Sequence, residues 1–315
     1  MTNVKNSNRF MLILIIWAIP ASLIALIITS TIDASIGVSL LVSQVLIFGV
    51  PCIVVLAINR KRIKEILPTR KMGTKNYLMI IAMSLAIQPL LVLISTILGQ
   101  FLPATSSEML DNMNMEANFF LVLLFIGVVP SILEELAFRG IIFSGYKDVP
   151  IFKAALLNGV LFGLMHLNFH QFFYTAVLGF TLCLFVYYTK SILSAMLAHF
   201  VVNGTQVGLS LLQLRSRQEL AYYDEPSVFL TLIILGLIAV AGLTVFAFVF
   251  MKFKSHNITD NDRPEDAMEP DGAASPLPAK PHALLTVPVY ITIALFVLFA
   301  LITLLPPIPH QCPYC

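Results

Sequence analysis

Charge is what this chain has least of. Asp, Glu, Lys and Arg make up 11% of its 315 residues, against about 25% in soluble domains. So little charge cannot cover a water-facing surface, and a soluble fold is excluded. Polar interruptions are scarce as well, with 58% hydrophobic residues and a mean hydropathy of +0.89. A helix needs about 20 apolar residues to cross hydrocarbon. Runs of that kind begin near Phe10, Ile36, Tyr77, Asn118, Ile151, Phe172, Ser191, Ser227 and Leu284. The pattern predicts an all-α fold, a polytopic transmembrane helical bundle of about nine helices, with membrane lipid as its surroundings and no nucleic acid as a partner. Cysteine is rare too. Cys52 and Cys183 lie in apolar runs and read as packing residues, whereas Cys312 and Cys315 close the chain as CPYC, half a zinc site at best. No internal repeat and no separate soluble domain are visible. The first apolar run has no small-residue cleavage site behind it, and reads as a retained helix.

The charges that are present sort by position. Residues 59–76 hold Arg60, Lys61, Arg62, Lys64, Arg70, Lys71 and Lys75 against Glu65, while residues 99–117 hold Glu108, Asp111 and Glu116 and no base. The positive-inside rule puts the first loop in the cytoplasm, and with it the N-terminus. Lys147, Lys153, Lys190, Lys252 and Lys254 then fall inside, with Arg215 and Arg217 as outer exceptions. The chain divides into N-terminal helices and loops (1–117), a core carrying the polar motifs (118–213) and an outer loop with the eighth helix (214–253). A polar, Asp-, Glu- and Pro-rich cytoplasmic linker (254–283) leads to the last helix and its outer CPYC tail (284–315). The first three helices read as a wall, their few polar interior groups including Gln44 and Gln88.

Ionisable side chains within a membrane cost about 2.5–3.5 kcal/mol each on insertion scales, so they face a cavity or one another. Three clusters stand out. Glu134 and Glu135 precede Arg139 near the cytoplasmic end of the fourth helix. Glu135 and Arg139 share a face at i, i+4, which pairs them and leaves Glu134 to face a cavity. His166 follows Phe162 by four residues; alone it reads more readily as a hydrogen-bonded structural histidine than as a catalytic one. His170, in the turn LNFHQ, is expected at the interface. His199 and Asn203, again four apart, form either a catalytic pair or polar glue between helices. Together the clusters hold what water-driven amide cleavage needs: a base for water and donors for an oxyanion. Glu134, His166 and His199 are equally ordinary zinc ligands.

Glu134-Glu135-xxx-Arg139, Phe162-xxx-His166 and His199-xxx-Asn203, in this order, resemble the CPBP family of intramembrane proteases. That family includes the type II CAAX prenyl endopeptidases and bacterial proteins linked to bacteriocin self-immunity. The resemblance covers roughly residues 118–206. It implies an endopeptidase with a cavity reached from the cytoplasmic side, acting on a peptide or membrane-anchored protein. By analogy Glu134 with His166 would activate water, His199 and Asn203 would bind the oxyanion, and Glu135 with Arg139 would support the site. No cofactor is required in that mechanism, although zinc is compatible with the same residues; H-E-x-x-H is absent. The chain is expected in a membrane as a multi-pass protein, in a bacterial cell membrane with a cytoplasmic N-terminus.

Two rivals stand beside this reading: a transporter with a proton relay, and an immunity or regulatory factor acting by binding. The reading also carries a difficulty of height. Measured from the helix starts at about 1.5 Å per residue, Glu134 falls nearer the cytoplasm than His166. The two meet only if the fifth helix starts in the cytoplasm, or if the fifth and sixth form a hairpin stopping short of the outer face.

Overall fold

The computed structural model describes residues 3–102, 118–219, 227–258, 283–302 and 304, without the side chains of 214–219. The acidic segment with Glu108, Asp111 and Glu116, most of the polar linker, the side chains of Arg215 and Arg217, and the CPYC tail lie outside the described residues. Seven helices are long and apolar enough to cross a membrane, and two shorter apolar ones accompany them. They are α1 (Val4–Thr31), α2 (Ile36–Ile58), α3 (Thr74–Gly99), α4 (Phe119–Tyr146), α5 (Ile151–Met165), α6 (Phe169–Thr189), α7 (Ile192–Glu219), α8 (Val228–Asn257) and α9 (Val287–Ile302). No strand occurs among the described residues. This is an all-α, multi-pass membrane protein, and its helices coincide with the apolar runs.

Local chemistry sets several helix starts. Asn3, Ser35, Asn118, Asn168 and Ser227 each cap one, a side-chain oxygen accepting a first-turn N–H, as N-caps do. Leu167 and Lys190 adopt left-handed backbone conformations (φ 52° and 53°) where α5 turns into α6 and α6 into α7.

One end of the bundle is stitched together by polar contacts. Arg70 N–H donates to the Lys190 carbonyl (3.1 Å) and Ile192 N–H to that of Pro68 (2.7 Å). Tyr146 donates to Asn8 Oδ1 (2.5 Å), and Asn8 donates in turn to the Leu284 carbonyl and the Thr286 hydroxyl, each at 2.9 Å. The amides of Asn76 and Asn257 exchange hydrogen bonds of 3.0 Å. Gly140, late in α4, faces Ile66, Leu67 and Ile192. The start of α1, the α2–α3 loop, the end of α4, the α6–α7 turn, the end of α8 and the approach to α9 thus share one end, and Lys147 and Lys190 gather there with the basic loop. This is the alternation that an up-and-down path from α1 to α9 requires.

Two apolar cores meet along α5 and α6. One joins α1, α2, α4, α5 and α9; the other joins α3, α6, α7 and α8, with Ala155 of α5. The two hairpin helices touch backbone to backbone. A Cβ on Gly159 would lie 2.6 Å from the Ala176 carbonyl oxygen, and one on Gly179 would lie 2.9 Å from Gly159 Cα. Small residues of this kind let helices approach in a bilayer, where lipid supplies no hydrophobic drive to associate. α5 spans 15 residues, about 22 Å, short of a hydrocarbon core of roughly 30 Å. It therefore ends within the bundle.

The fourth helix departs from the expected layout. Arg139 does not mark its end: α4 continues to Tyr146, which places Glu134 in mid-helix. Two π-helical segments, Leu123–Val128 and Leu136–Ile142, flank the glutamates. That correction and the α5–α6 hairpin both reduce the height mismatch.

Replacing Gly159 with Ala should therefore push α5 from α6 and lower stability by about 1–3 kcal/mol, the usual cost of overpacking. Gly208, which has open space around its Cβ position, supplies the control: Gly208→Ala should be neutral or stabilising. Thermal unfolding in detergent measures both.

Candidate active site

The polar clusters converge where the two cores meet. Arg139 is 1% exposed, yet it carries a charge. Its Nη1 donates to Glu135 Oε1 at 3.0 Å, one turn back on α4, and its Nη2 donates to the Gly179 carbonyl of α6 at 3.0 Å. The guanidinium also lies 4.4 Å from the ring centre of Phe162 on α5, a cation–π arrangement that gains strength on desolvation. The missing side chain at Gly179 makes this possible, since a Cβ there would stand 3.0 Å from Nη2.

Glu135 Oε1 takes a second donor, Nδ1 of His199 on α7, at 2.8 Å. The ionised carboxylate only accepts, so His199 Nδ1 carries the hydrogen and Nε2 is left for the site. The expected pairing of Glu135 with Arg139 is present, and His199 joins it as a third member. His166 follows the same logic on α5. Its Nδ1 lies 3.0 Å from the Phe162 carbonyl, which accepts only, and this leaves its Nε2 lone pair free. The rings of His166 and His199 both stand edge-on to Phe162, at centroid distances of 5.1 and 5.9 Å. Phe162 is thus in contact with Arg139 and both histidines, a role that its place in the motif does not disclose.

Asn203, one turn beyond His199, donates to the Ile126 carbonyl at 2.9 Å. Regular helical bonding would give that carbonyl the N–H of residue 130, and Pro130 has none to give. Pro130 thus opens an acceptor on α4 that α7 uses.

Glu134 points away from this network, as its helical position predicts. It is 7% exposed, and its Oε1 accepts from Gln44 Nε2 on α2 at 2.9 Å. Gln44 was read from sequence as a wall residue; a single amide in an apolar helix carries no periodic signal that would tell the two roles apart. His170 is also corrected. It is buried in the first turn of α6, with Nε2 3.0 Å from the Ser95 carbonyl of α3, and it serves packing between helices instead of an interface. Cys52 and Cys183 are buried, as expected of packing residues, and the Cys183 thiol donates to Asn158 Oδ1.

The donors that zinc would need are of the right chemical kind, since His166 and His199 both keep Nε2 available and Glu134 is a carboxylate. Even so, no three His, Cys, Asp or Glu side chains among the described residues are gathered as a metal site. The arrangement as it stands is two imidazoles sharing one aromatic neighbour and backed by a buried ion pair, with the Glu134 carboxylate held separately by Gln44 of α2.

Comparison with known families falls on the same stretch. Residues 116–205 match the family model described as "Type II CAAX prenyl endopeptidase Rce1-like". The match holds all three motifs and leaves Gln44 outside. The Bacillus subtilis (strain 168) protein named "Putative membrane peptidase YdiL" is 35% identical over 119 residues, 37% of this chain and 46% of that protein. The chain thus spans less than half the length of this curated relative. No solved structure matches.

Arg139→Met would strand Glu135 as a buried charge facing only His199, at a cost of about 3–5 kcal/mol. The double variant Glu135→Leu with Arg139→Met should lose less than the two single losses added, because no charge is left unpaired. Arg139→Lys should not rescue, since an ammonium cannot reproduce the fork that holds Glu135 and Gly179 together. Denaturant unfolding in detergent checks all three.

Proposed function

We propose that this protein is an intramembrane endopeptidase of the CPBP type, cleaving a peptide bond in a membrane-associated peptide or protein through a cavity reached from the cytoplasm. The observation that carries the reading is the contrast between the two adjacent glutamates. Glu135 is committed through Oε1 to Arg139 and His199, while Glu134 is held by one neutral amide and is left as the base. Glu134 takes a proton from water, with the His166 Nε2 lone pair accepting the water's other hydrogen. The water oxygen then adds to the peptide carbonyl carbon. The second amide hydrogen of Asn203 donates to the oxyanion, and Glu135 holds the His199 ring beside it. Breakdown breaks the C–N bond as Glu134 returns its proton to the leaving nitrogen. General acid–base help of this kind contributes about 10²–10⁴-fold.

Zinc would supply a Lewis acid and a more acidic bound water; no step above passes through it. The basic loop after α2 and the lysines sharing its end favour a cytoplasmic location for that end. In a background lacking Cys312 and Cys315, the variant Lys64→Cys should be labelled by an impermeant thiol reagent only after the membrane is opened. Labelling of intact cells would reverse the orientation.

Cleavage of a fluorogenic peptide library by purified protein in liposomes tests the activity. Glu134→Ala and His199→Ala should each lose about 10²-fold or more in kcat/KM, and a zinc chelator should leave the wild-type rate unchanged. Loss with the chelator would assign the chemistry to a metal. Equal rates in all variants would place the cleavage elsewhere, and an inert folded wild type would favour binding or transport.

A further inference from the structure

We infer that Gln44 is a positioning residue for Glu134, supplied by α2 from outside the segment that carries the three motifs. The inference rests on the reading of Glu134 as the base. Gln44 Nε2 donates to Glu134 Oε1 at 2.9 Å. A carboxylate only accepts, so the amide must turn its nitrogen to Glu134 and its oxygen the other way. That oxygen is buried and has no partner. An unpartnered buried acceptor is destabilising, a cost removed when water or a peptide N–H enters.

The backbone below Gln44 is built to hold it. Gln44 is the residue immediately before a π-helical segment, Val45–Gly49. Such segments often occur at functional sites, because one extra residue in the helix re-aims the side chains beside it. Trp17 Nε1 pins this one by donating to the Leu46 carbonyl at 2.8 Å. An amide on a fixed stretch of backbone, with one end on the base and the other open, does two things. It occupies Glu134 Oε1, so that Oε2 faces the water. It also offers its own oxygen to a hydrogen of the bound water or to the N–H of the scissile peptide. Gln44 neither gains nor loses a proton in the reaction; the proton passes from water to Glu134 Oε2 and then to the leaving nitrogen.

Two readouts test this on full-length protein in detergent or liposomes. In the first, Gln44→Asn, Gln44→Leu and Gln44→Glu are compared with wild type and Glu134→Gln. The kcat should fall in the order wild type, Asn, Leu, Glu. The Leu variant should lose about 10–100-fold, the scale of a misplaced catalytic group, with KM changed by less than about twofold. The Glu variant sets two carboxylates against each other and should be the slowest. Should Leu fail to fold, Asn keeps an amide in place and carries the comparison. In the second readout, infrared difference spectra identify the carboxylate stretch of Glu134 as the band lost in Glu134→Gln. That band should move in Gln44→Leu, and it reports the hydrogen bond whether or not a substrate is in hand. A wild-type kcat in Gln44→Leu, a loss confined to KM, or an unmoved band would overturn the inference. An inert wild type whose band still moves would instead overturn the peptidase reading, and leave Gln44 as the partner of Glu134.

Discussion

One guanidinium placed where no water reaches governs the middle of this bundle. Arg139 stays ionised in any plausible environment, so the surrounding helices must satisfy it, and each contributes something different. α4 gives the Glu135 carboxylate, α6 the Gly179 carbonyl, and α5 the Phe162 face. Glu135 then passes the constraint to His199 on α7. The small residues along the α5–α6 seam follow from the same demand, because a side chain at Gly179 would close the space into which Nη2 reaches. Glu134, next in sequence to Glu135, is spared this duty and accepts instead from Gln44 of α2.

The second organising feature is the treatment of carbonyl groups. Within a bilayer, backbone polar groups must be satisfied by protein, yet α2 and α4 contain three π-helical segments in which the regular ladder is loosened. In each, a carbonyl receives a side-chain N–H from a neighbouring helix. Trp17 donates to Leu46, Asn203 to Ile126 and Asn158 to Phe138. These are ties between helices as well as repairs, and they surround Glu134 and Glu135. The polar residues that sequence reading sorts into motif and scaffold belong here to a single arrangement.

Much of this was legible in the sequence. The apolar runs located every helix, and i, i+4 spacing paired Glu135 with Arg139 and turned Glu134 away. What was misread has physical causes. The Glu134–Arg139 cluster was placed near the cytoplasmic end of the fourth helix, but an arginine neutralised by its own helix does not interrupt a crossing, so α4 continues to Tyr146 and the glutamates move to mid-helix. His170 sits beside a turn, which suggested an interface; its partner Ser95 lies 75 residues away in sequence, beyond any local pattern. Gln44 was visible as a lone amide among apolar residues, and only packing distinguishes one that faces a buried carboxylate from one that glues two helices.

The π-helical segments also make the site depend on residue count. Each is, in effect, one residue wound into an otherwise regular helix. Deleting a single residue from Leu136–Ile142 would restore ordinary pitch and leave a helix of good propensity. It would also swing everything on one side of the cut by about 100° relative to the other. Phe138 would lose its alignment with Asn158, and Arg139 its alignment with Phe162 and Gly179. Surface loops absorb insertions and deletions; these membrane helices cannot. Change by substitution remains open to α2 and α4, whereas change in length is closed to them.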